Sequence, residues 1–149
     1  MHALRRILLV EDSARDAELI LDALDGNKLA NEVVHVRDGA EALDYLNRRG
    51  QFASRSDDQP ILMLLDLKLP RVDGLEVLRQ IKGDAALKMI PVVMMTSSRE
   101  EQDLLRSYEL GVNAYVVKPM KFQDFVEAVK QVSGFWAVLN EVPQGPRRG

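Results

Sequence analysis

The chain has 149 residues, of which 46% are hydrophobic and 29% charged, with a net charge of −3 and no cysteine. A chain of this length is expected to form one domain that buries roughly 68–70% of its unfolded surface, enough for a core without disulfides. The absence of cysteine excludes disulfides, thiol catalysis and cysteine metal sites. The negative net charge argues against a nucleic-acid partner or an anionic membrane surface.

No apolar stretch reaches about 18 residues, so a membrane span is not expected. The first six residues lead directly into a strand-like segment and lack a signal-peptide cleavage pattern. We therefore expect a cytoplasmic protein.

Short apolar runs alternate with stretches of helical periodicity, which is typical of βα units around a parallel sheet. The predicted strands are residues 7–10, 33–36, 61–65, 92–95 and 114–117. The first and third are almost entirely aliphatic, as expected of strands that are covered on both faces. The pattern predicts a doubly wound α/β domain with three layers.

Apolar residues at three- and four-residue spacing predict a helix after each strand. The apolar stripes are Ala17, Ile20, Leu21 and Leu24; Ala42, Leu43 and Leu46; Leu75, Leu78 and Ile81; Leu104, Leu105 and Tyr108; and Phe122, Phe125, Val126, Val129 and Val132. Ser13 is the predicted N-cap of the first helix, and Gly111 is predicted to end the fourth.

Two segments do not fit this repeat. Residues 48–60 are polar and predict an exposed loop, longer than most connections and therefore either functional or mobile. The last apolar stripe continues through Phe135, Trp136 and Leu139, further than one face of the sheet requires. We expect a domain spanning residues 1–140 and a disordered tail at 141–149.

Short polar motifs follow four of the predicted strands: Glu11-Asp12, Asp66, Thr96 and Lys118-Pro119. The carboxyl ends of parallel strands open onto one crevice where ligands bind, so these side chains are expected to converge. Acids after strands are often only solvated loop residues or helix caps, but three held together repel one another unless a cation neutralises them. Because Mg²⁺ prefers oxygen ligands, we favour a Mg²⁺ site beside a phosphoryl group.

Lys118 and Thr96 each allow two interpretations. Without the acids, Lys118 would be a surface lysine at a turn; beside them, its ammonium is a fixed positive charge for a phosphoryl oxygen or for Asp66. The Thr96 hydroxyl either caps the following helix or donates to a phosphoryl oxygen, and the sequence leaves both open. The Lys118–Pro119 peptide can be cis at a cost of about 0.5–1 kcal/mol.

Over residue 5 to about 134, the chain resembles the receiver domains of two-component response regulators. The motifs are Leu-Leu-Val-Glu-Asp at 8–12, Asp-Leu-Lys-Leu-Pro-Arg-Val-Asp-Gly at 66–74, Met-Met-Thr-Ser at 94–97 and Ala-Tyr-Val-Val-Lys-Pro at 114–119. The resemblance implies a flavodoxin-like (βα)5 fold with a parallel five-stranded sheet of order 2-1-3-4-5.

The resemblance also implies a phosphoacceptor and a metal site. Asp66 would accept a phosphoryl group from a histidine kinase, so that the chain acts as a switch and not as an enzyme on external substrates. Asp12, Asp66 and the backbone carbonyl of Lys68 would hold Mg²⁺, with Glu11 assisting through water.

The switch residues follow from the same resemblance. Lys118 would pair with the phosphoryl group, Thr96 would move to hydrogen-bond it, and Tyr115 would swing inward to fill the vacated space. Phosphoryl transfer needs little beyond alignment and charge neutralisation, which matches so sparse a site.

Within the family, the long loop and the Gly-Phe-Trp end of the last helix resemble the single-domain regulators that partner phytochrome-type histidine kinases. In those relatives the last helix and the tail take part in homodimer formation, which makes Phe135, Trp136, Val138 and Leu139 the expected interface. The alternative is that Trp136 folds back onto its own domain. No second globular segment follows residue 140, so we expect no output domain and a function through protein contacts.

Other functional classes fit the residues less well. A Mg²⁺-dependent aspartyl-phosphate phosphohydrolase of similar fold would need a second acid two residues after its nucleophile, where this chain has Lys68. A flavodoxin-like mononucleotide binder is disfavoured because Glu11 and Asp12 would repel a phosphate unless a cation intervened. A scaffold that only dimerises would lack the acceptor aspartate or the lysine, and both are present.

Overall fold

The computed structural model describes residues 6–26 and 32–143. Within these ranges, five strands alternate with five α-helices. They are β1 (Arg6–Val10), α1 (Ala14–Gly26), β2 (Glu32–Val36), α2 (Gly39–Asn47), β3 (Leu62–Leu65), α3 (Gly74–Lys82), β4 (Val92–Thr96), α4 (Glu101–Glu109), β5 (Ala114–Val117) and α5 (Phe122–Ser133). None of these helices is long and apolar enough to cross a membrane.

The strands form one parallel sheet of order β2-β1-β3-β4-β5. This confirms the doubly wound α/β fold that the sequence pattern predicted and the strand order that the family resemblance implied. Each predicted strand is present, and four of the five differ from the prediction by one residue at one end. β1 and β2 begin one residue earlier, β3 begins one residue later, and β4 ends one residue later.

The core lies on both faces of the sheet because successive side chains of a strand point to opposite sides. Leu8 and Met63 belong to the cluster under α2 and α3, whereas Ile7 and Leu64 belong to the cluster under α1 and α5. Every residue of β1, β3 and β4 is buried, as expected of parallel strands covered on both sides. The strands that lead into Glu11, Asp66 and Thr96 are therefore fully enclosed in the core.

The helix ends are set by local polar contacts. The Ser13 side chain accepts a hydrogen bond from the Asp16 N–H at 3.2 Å, which confirms it as the N-cap of α1. Asp73 caps α3 in the same way, accepting from the Glu76 N–H at 3.0 Å. Gly111 follows α4 with a φ of +99°, a conformation that glycine adopts without strain, and so ends that helix as predicted.

The predicted helix α4 is present, but its apolar stripe faces the solvent. Leu104, Leu105 and Tyr108 are 39%, 58% and 53% exposed. Of the nine residues of α4, all described, only Ser107 is buried. α4 connects β4 to the edge strand β5, whose own residues are only half-buried, so this end of the sheet offers little core for the helix to cover.

The predicted exposed loop at 48–60 is tied down in the structure. It contains a short 3-10 turn (Gly50–Phe52), and the Arg55 side chain is only 7% exposed. The Arg55 guanidinium lies 4.0 Å from the centre of the Tyr45 ring and donates to the Tyr45 carbonyl at 3.1 Å. Arg6, at the start of β1, pairs with Asp57 at 3.1 Å. Arg55 therefore anchors a loop that is exposed at most of its other positions, as predicted.

The last helix continues as predicted but changes its winding. After α5, a six-residue π-helical turn (Gly134–Leu139) carries Phe135, Trp136 and Leu139. The Lys118–Pro119 peptide before α5 is trans, as are the other described peptides. Residues 141–143 form neither helix nor strand, and 144–149, the rest of the predicted tail, lie outside the described residues.

Candidate functional site

Acidic side chains meet at the carboxyl ends of β1 and β3 because these strands are neighbours in the sheet. Glu11, Asp12 and Asp66 each offer a carboxylate oxygen, and these oxygens all lie within 4.8 Å of one another. The Asp66 N–H donates to the Val10 carbonyl at 3.1 Å, which extends the β1–β3 hydrogen bonding to Asp66. Glu11 is buried, Asp66 is intermediate and Asp12 is exposed, so the cluster runs from the interior to the solvent.

Lys118 supplies the positive charge of this site. Its ammonium nitrogen lies 2.5 Å from Glu11 Oε1, 2.8 Å from Asp16 Oδ2 and 3.0 Å from Asp66 Oδ2. An ammonium group has three N–H donors, so each carboxylate occupies one of them. The Lys118 backbone N–H also donates to the Thr96 carbonyl at 2.7 Å, which holds the lysine at the end of β5 next to β4.

Burial and neighbouring charges shift the pKa values of Glu11 and Lys118. Burial, and then the negative charge of Asp66, raise the pKa of Glu11 to about 7, although Lys118 acts in the opposite direction. Burial alone would lower the pKa of Lys118, but hydrogen bonds to Asp16 and Glu11 more than offset it and keep that pKa above its ordinary value. Lys118 is therefore a permanent cation among carboxylates that outnumber it.

The donor set fits a hard divalent cation such as Mg²⁺. The cluster offers carboxylate oxygens only, and Mg²⁺ is usually bound by one or two carboxylates together with water and phosphate oxygens. An open cavity of about 480 Å³ lies beside the cluster, with room for further ligands. It is lined by Asp12, Leu67, Lys68, Leu69, Pro70, Asp73, Leu75 and Asp103.

Thr96 and Tyr115 are connected through Ser98. The Thr96 hydroxyl accepts a hydrogen bond from the Ser98 N–H at 3.2 Å, and the Tyr115 hydroxyl donates to the Ser98 carbonyl at 3.2 Å. The Ser98 hydroxyl donates to Asp103 Oδ2 at 2.6 Å and accepts from the Glu100 N–H at 3.3 Å, just before α4. Ser98, and not Thr96, contacts the residues at the start of α4, and the Thr96 hydroxyl acts only as an acceptor in this contact, which leaves its O–H proton available as a donor.

Two contacts in the site were not predicted from the sequence. Asp16 touches Lys118, and the only sequence signal for it is its position in the first turn of α1, shortly after the Glu11-Asp12 motif. His35 donates from Nε2 to the Glu11 carbonyl at 2.8 Å, so it supports the backbone of the site. That contact depends on the β1–β2 pairing and leaves no local pattern in the sequence.

The predicted dimer residues lie together on the π-helical turn. Phe135, Val138 and Leu139 are 51%, 46% and 72% exposed. Trp136 is partly buried, packs against the core cluster of its own domain and meets the Phe135 ring edge-on with 5.1 Å between ring centroids. The turn therefore presents three exposed apolar side chains, whereas Trp136 also serves its own domain.

Known proteins resemble this chain over nearly its whole length. A profile described as the response regulator receiver domain matches residues 7–130. Response regulator Rcp1 from Synechocystis sp. is 42% identical over 137 residues, which cover 92% of this chain and 92% of Rcp1. The Mn²⁺-bound structure of Rcp1 has a TM-score of 0.87 at 40% identity and covers 93% of this chain and 99% of the other.

Two further solved structures agree with this result. The phosphorylated cyanobacterial phytochrome response regulator RcpA has a TM-score of 0.89 at 44% identity, covering 95% of this chain and 99% of the other. The bacteriophytochrome response regulator AtBRR is 62% identical with a TM-score of 0.75, covering 94% of this chain and 100% of the other. Taken with the fold and the acidic site, these matches establish that the chain belongs to the family of response regulator receiver domains.

Proposed function

We propose that Asp66 accepts a phosphoryl group from a histidine kinase and that the resulting charge operates a conformational switch. The observation that supports this most directly is the position of the Asp66 carboxylate, 3.0 Å from the Lys118 ammonium and beside the carboxylates of Glu11 and Asp12. An isolated acidic side chain at the surface would give no indication of a chemical role. An acid fixed between a cation and a metal-binding cluster is suited to phosphoryl chemistry.

In the transfer step, a carboxylate oxygen of Asp66 attacks the phosphorus atom of a phosphohistidine. The new O–P bond forms as the P–N bond breaks, and the electron pair of that bond returns to the imidazole nitrogen. Lys118 donates an N–H to a phosphoryl oxygen and so offsets the charge that gathers there. The protein thus supplies alignment and a fixed positive charge.

Asp12, Asp66 and the backbone carbonyl of Lys68 would hold Mg²⁺, with Glu11 assisting through water. When bound, the metal neutralises phosphoryl charge and orients the group for in-line transfer. The indirect part given to Glu11 agrees with its contacts, because Oε1 is held by Lys118 and Oε2 accepts from the Ser13 N–H at 3.2 Å. Asp12 is exposed and borders the cavity, so it is free to face a metal.

Thr96 and Tyr115 would convert the charge of the phosphoryl group into a conformational change. Thr96 turns its hydroxyl toward the phosphoryl group, and Tyr115 moves into the space that this leaves. Since the Tyr115 hydroxyl is bonded to Ser98, two residues after Thr96, the two side chains share one backbone segment. A small movement of that segment is enough to couple them.

The proposed donor is a phytochrome-type histidine kinase in the cytoplasm. Support comes from RcpA, described as a cyanobacterial phytochrome response regulator, and from AtBRR, described as a bacteriophytochrome response regulator. The net charge of −3 gives no reason to expect a nucleic-acid partner. Signalling would proceed through contacts with other proteins.

The acceptor assignment is tested by labelling with acetyl phosphate and Mg²⁺, followed by intact mass and peptide mapping. We expect one phosphoryl group on Asp66, no labelling of Asp66→Asn, and normal labelling of Asp58→Asn, which makes the same chemical change in an exposed loop. Full labelling of Asp66→Asn would refute the assignment. Continued release of phosphate from external esters would instead favour the phosphohydrolase alternative. Purified phytochrome-type and unrelated kinases, compared at short reaction times, identify the donor.

We also propose a homodimer formed through the last helix, with Phe135, Trp136, Val138 and Leu139 in the interface. The support is the cluster of exposed apolar side chains on one short turn, which water would otherwise contact. Because Trp136 also packs on its own domain, Leu139→Ser is the cleaner probe, with Gln131→Ser on exposed α5 surface as control. Sedimentation at several concentrations should show weaker association only for Leu139→Ser and for Trp136→Ala. An unchanged dimer in Leu139→Ser would reject this interface.

A further inference from the structure

Asp16 makes a contact that the proposed phosphotransfer does not use. Its carboxylate, in the first turn of α1, lies 2.8 Å from the Lys118 ammonium, and its side chain is 24% exposed. Glu11 and Asp66, the other partners of the ammonium, are 2% and 12% exposed. Asp16 is thus the partner of Lys118 nearest the solvent. It is also the partner that lies outside the cluster of carboxylates suited to a metal.

A simpler explanation for an acid at this position is helix stabilisation. An acidic residue in the first turn interacts favourably with the helix dipole, typically by about 0.3–1 kcal/mol. That role requires only that the carboxylate remain near the start of α1. It does not require a contact with a buried lysine at the end of β5, 102 positions away in the sequence.

We propose that Asp16 is a positioning residue that holds the Lys118 ammonium on the α1 side of the site and competes there with the phosphoryl group. This inference rests on the proposed function of Asp66. All three N–H donors of Lys118 are occupied by carboxylates, so a phosphoryl oxygen gains a donor only when one of these contacts is given up. Asp16 therefore determines how readily Lys118 is released.

The negative charge around Lys118 also opposes the approach of a phosphoryl group. Glu11, Asp16 and Asp66 contact the ammonium, and Asp12 lies in the same acidic cluster, so an incoming phosphoryl donor, itself an anion, meets an excess of negative charge. Glu11 and Asp66 belong to the metal-binding cluster, where a cation would draw their charge away from Lys118. Asp16 is outside that cluster and keeps its full attraction for the ammonium. Removing the Asp16 charge should both free Lys118 and lower the repulsion of the donor.

The test compares Asp16→Asn with the wild-type protein, with Asp16→Glu, and with Asp22→Asn, which is the same chemical change at an exposed position of α1. At saturating Mg²⁺ and limiting acetyl phosphate, Asp16→Asn should be labelled on Asp66 about three- to tenfold faster than wild type, since one unit charge near the reacting group is removed. Asp16→Glu and Asp22→Asn should remain near the wild-type rate.

A second readout needs neither metal nor phosphoryl donor. In wild-type protein the Lys118 ammonium protons are all hydrogen-bonded, so nitrogen-15 NMR should show them exchanging slowly with water. In Asp16→Asn one proton loses its carboxylate acceptor on the solvent side, and exchange should broaden the signal. A helix-stabilising role alone would lower the melting temperature and leave this signal unchanged.

The outcomes distinguish a failure of the inference about Asp16 from a failure of the proposed function. If wild type is labelled on Asp66 and Asp16→Asn is labelled no faster, the inference about Asp16 is wrong and the proposed function stands. An unchanged Lys118 signal in Asp16→Asn overturns the inference even if that variant is too unstable for kinetics. If wild type takes no label on Asp66, the proposed function and the inference fall together.

Discussion

Gly74 is the position where one methyl group should disturb the site most. It begins α3, is buried, and donates its N–H to the Leu67 carbonyl at 2.7 Å, one residue after Asp66. A Cβ built on Gly74 would overlap the Asp66 carbonyl oxygen and lie 2.8 Å from both Cα and the carbonyl oxygen of Leu67. Real Cβ atoms essentially never approach closer than 3.0 Å. Gly74→Ala must therefore move either α3 or the backbone that carries Asp66.

The cost follows from what the methyl group meets. Inserting an extra carbon into a packed region typically costs about 1–3 kcal/mol, and the upper end applies here because the obstructing atoms are backbone that cannot rotate away. For a domain of this size each kcal/mol lowers the melting temperature by about 2–4 °C, so a loss of about 3 kcal/mol predicts a decrease of about 6–12 °C.

Gly134 provides the matched control. It begins the π-helical turn with a φ of −61°, and a Cβ there would meet nothing within 4 Å. Gly134→Ala should therefore stabilise the protein by about 0.5–1 kcal/mol through reduced backbone freedom. Thermal unfolding followed by circular dichroism in EDTA measures both variants without metal. A Gly74→Ala protein that melts within about 2 °C of wild type, a shift that corresponds to about 1 kcal/mol or less, would show that α3 and the Asp66 loop are not packed as described.

Three further predictions concern the metal, the long loop and the connection to α4. Mg²⁺ at about a hundredfold excess over its Kd should raise the free energy of unfolding by about 2.7 kcal/mol, as measured by scanning calorimetry. Asp12→Asn should lose most of this gain, and a gain equal to that of the wild type would contradict the metal assignment. Arg55→Ala should lower the free energy of unfolding, measured by urea denaturation, by about 2–4 kcal/mol because it removes a buried guanidinium and its hydrogen bonds. Arg49→Ala, at a side chain 59% exposed, should change it little, and equal losses in the two variants would refute the packing of the loop. Ser98→Ala should lower the free energy of unfolding by about 1–2 kcal/mol in the same assay. The rate of Asp66 labelling should stay unchanged because Thr96 and Tyr115 bind only the Ser98 backbone, and slower labelling would implicate the Ser98 hydroxyl in the transfer.

The sheet was predictable because its signal is local. β1, β3 and β4 are buried along their whole length, which requires consecutive apolar residues, and such runs are visible in the sequence. The polar residue after each run then indicated which side chains gather at the carboxyl edge. Once β1 and β3 are neighbours, Glu11, Asp12 and Asp66 must lie close together.

The remaining features depend on tertiary structure. Asp16 meets Lys118 only because α1 and the end of β5 face the same site, and these residues are 102 positions apart. The apolar stripe of α4 predicts a helix correctly, but periodicity does not tell whether the stripe faces a core or the solvent. The change to a π-helical turn after Ser133 leaves no local pattern either, and it decides which residues of the last helix are exposed.

Ser98 is the point at which the site meets α4. Its N–H is bonded to the Thr96 hydroxyl, its carbonyl to the Tyr115 hydroxyl, and its own hydroxyl to Asp103. If Thr96 turns toward a phosphoryl group on Asp66, the Ser98 N–H loses its acceptor. A buried N–H without a partner costs about 1–3 kcal/mol, so the segment must rearrange to satisfy it.

The element that can absorb this rearrangement most cheaply is α4. Only Ser107 among its residues is buried, so shifting the helix breaks few apolar contacts, whereas α3 buries Val77, Leu78 and Ile81 and resists displacement. The same weak packing leaves Leu104, Leu105 and Tyr108 exposed on the outer face of α4. The weak packing that would let α4 shift therefore also exposes apolar side chains that a protein partner would contact.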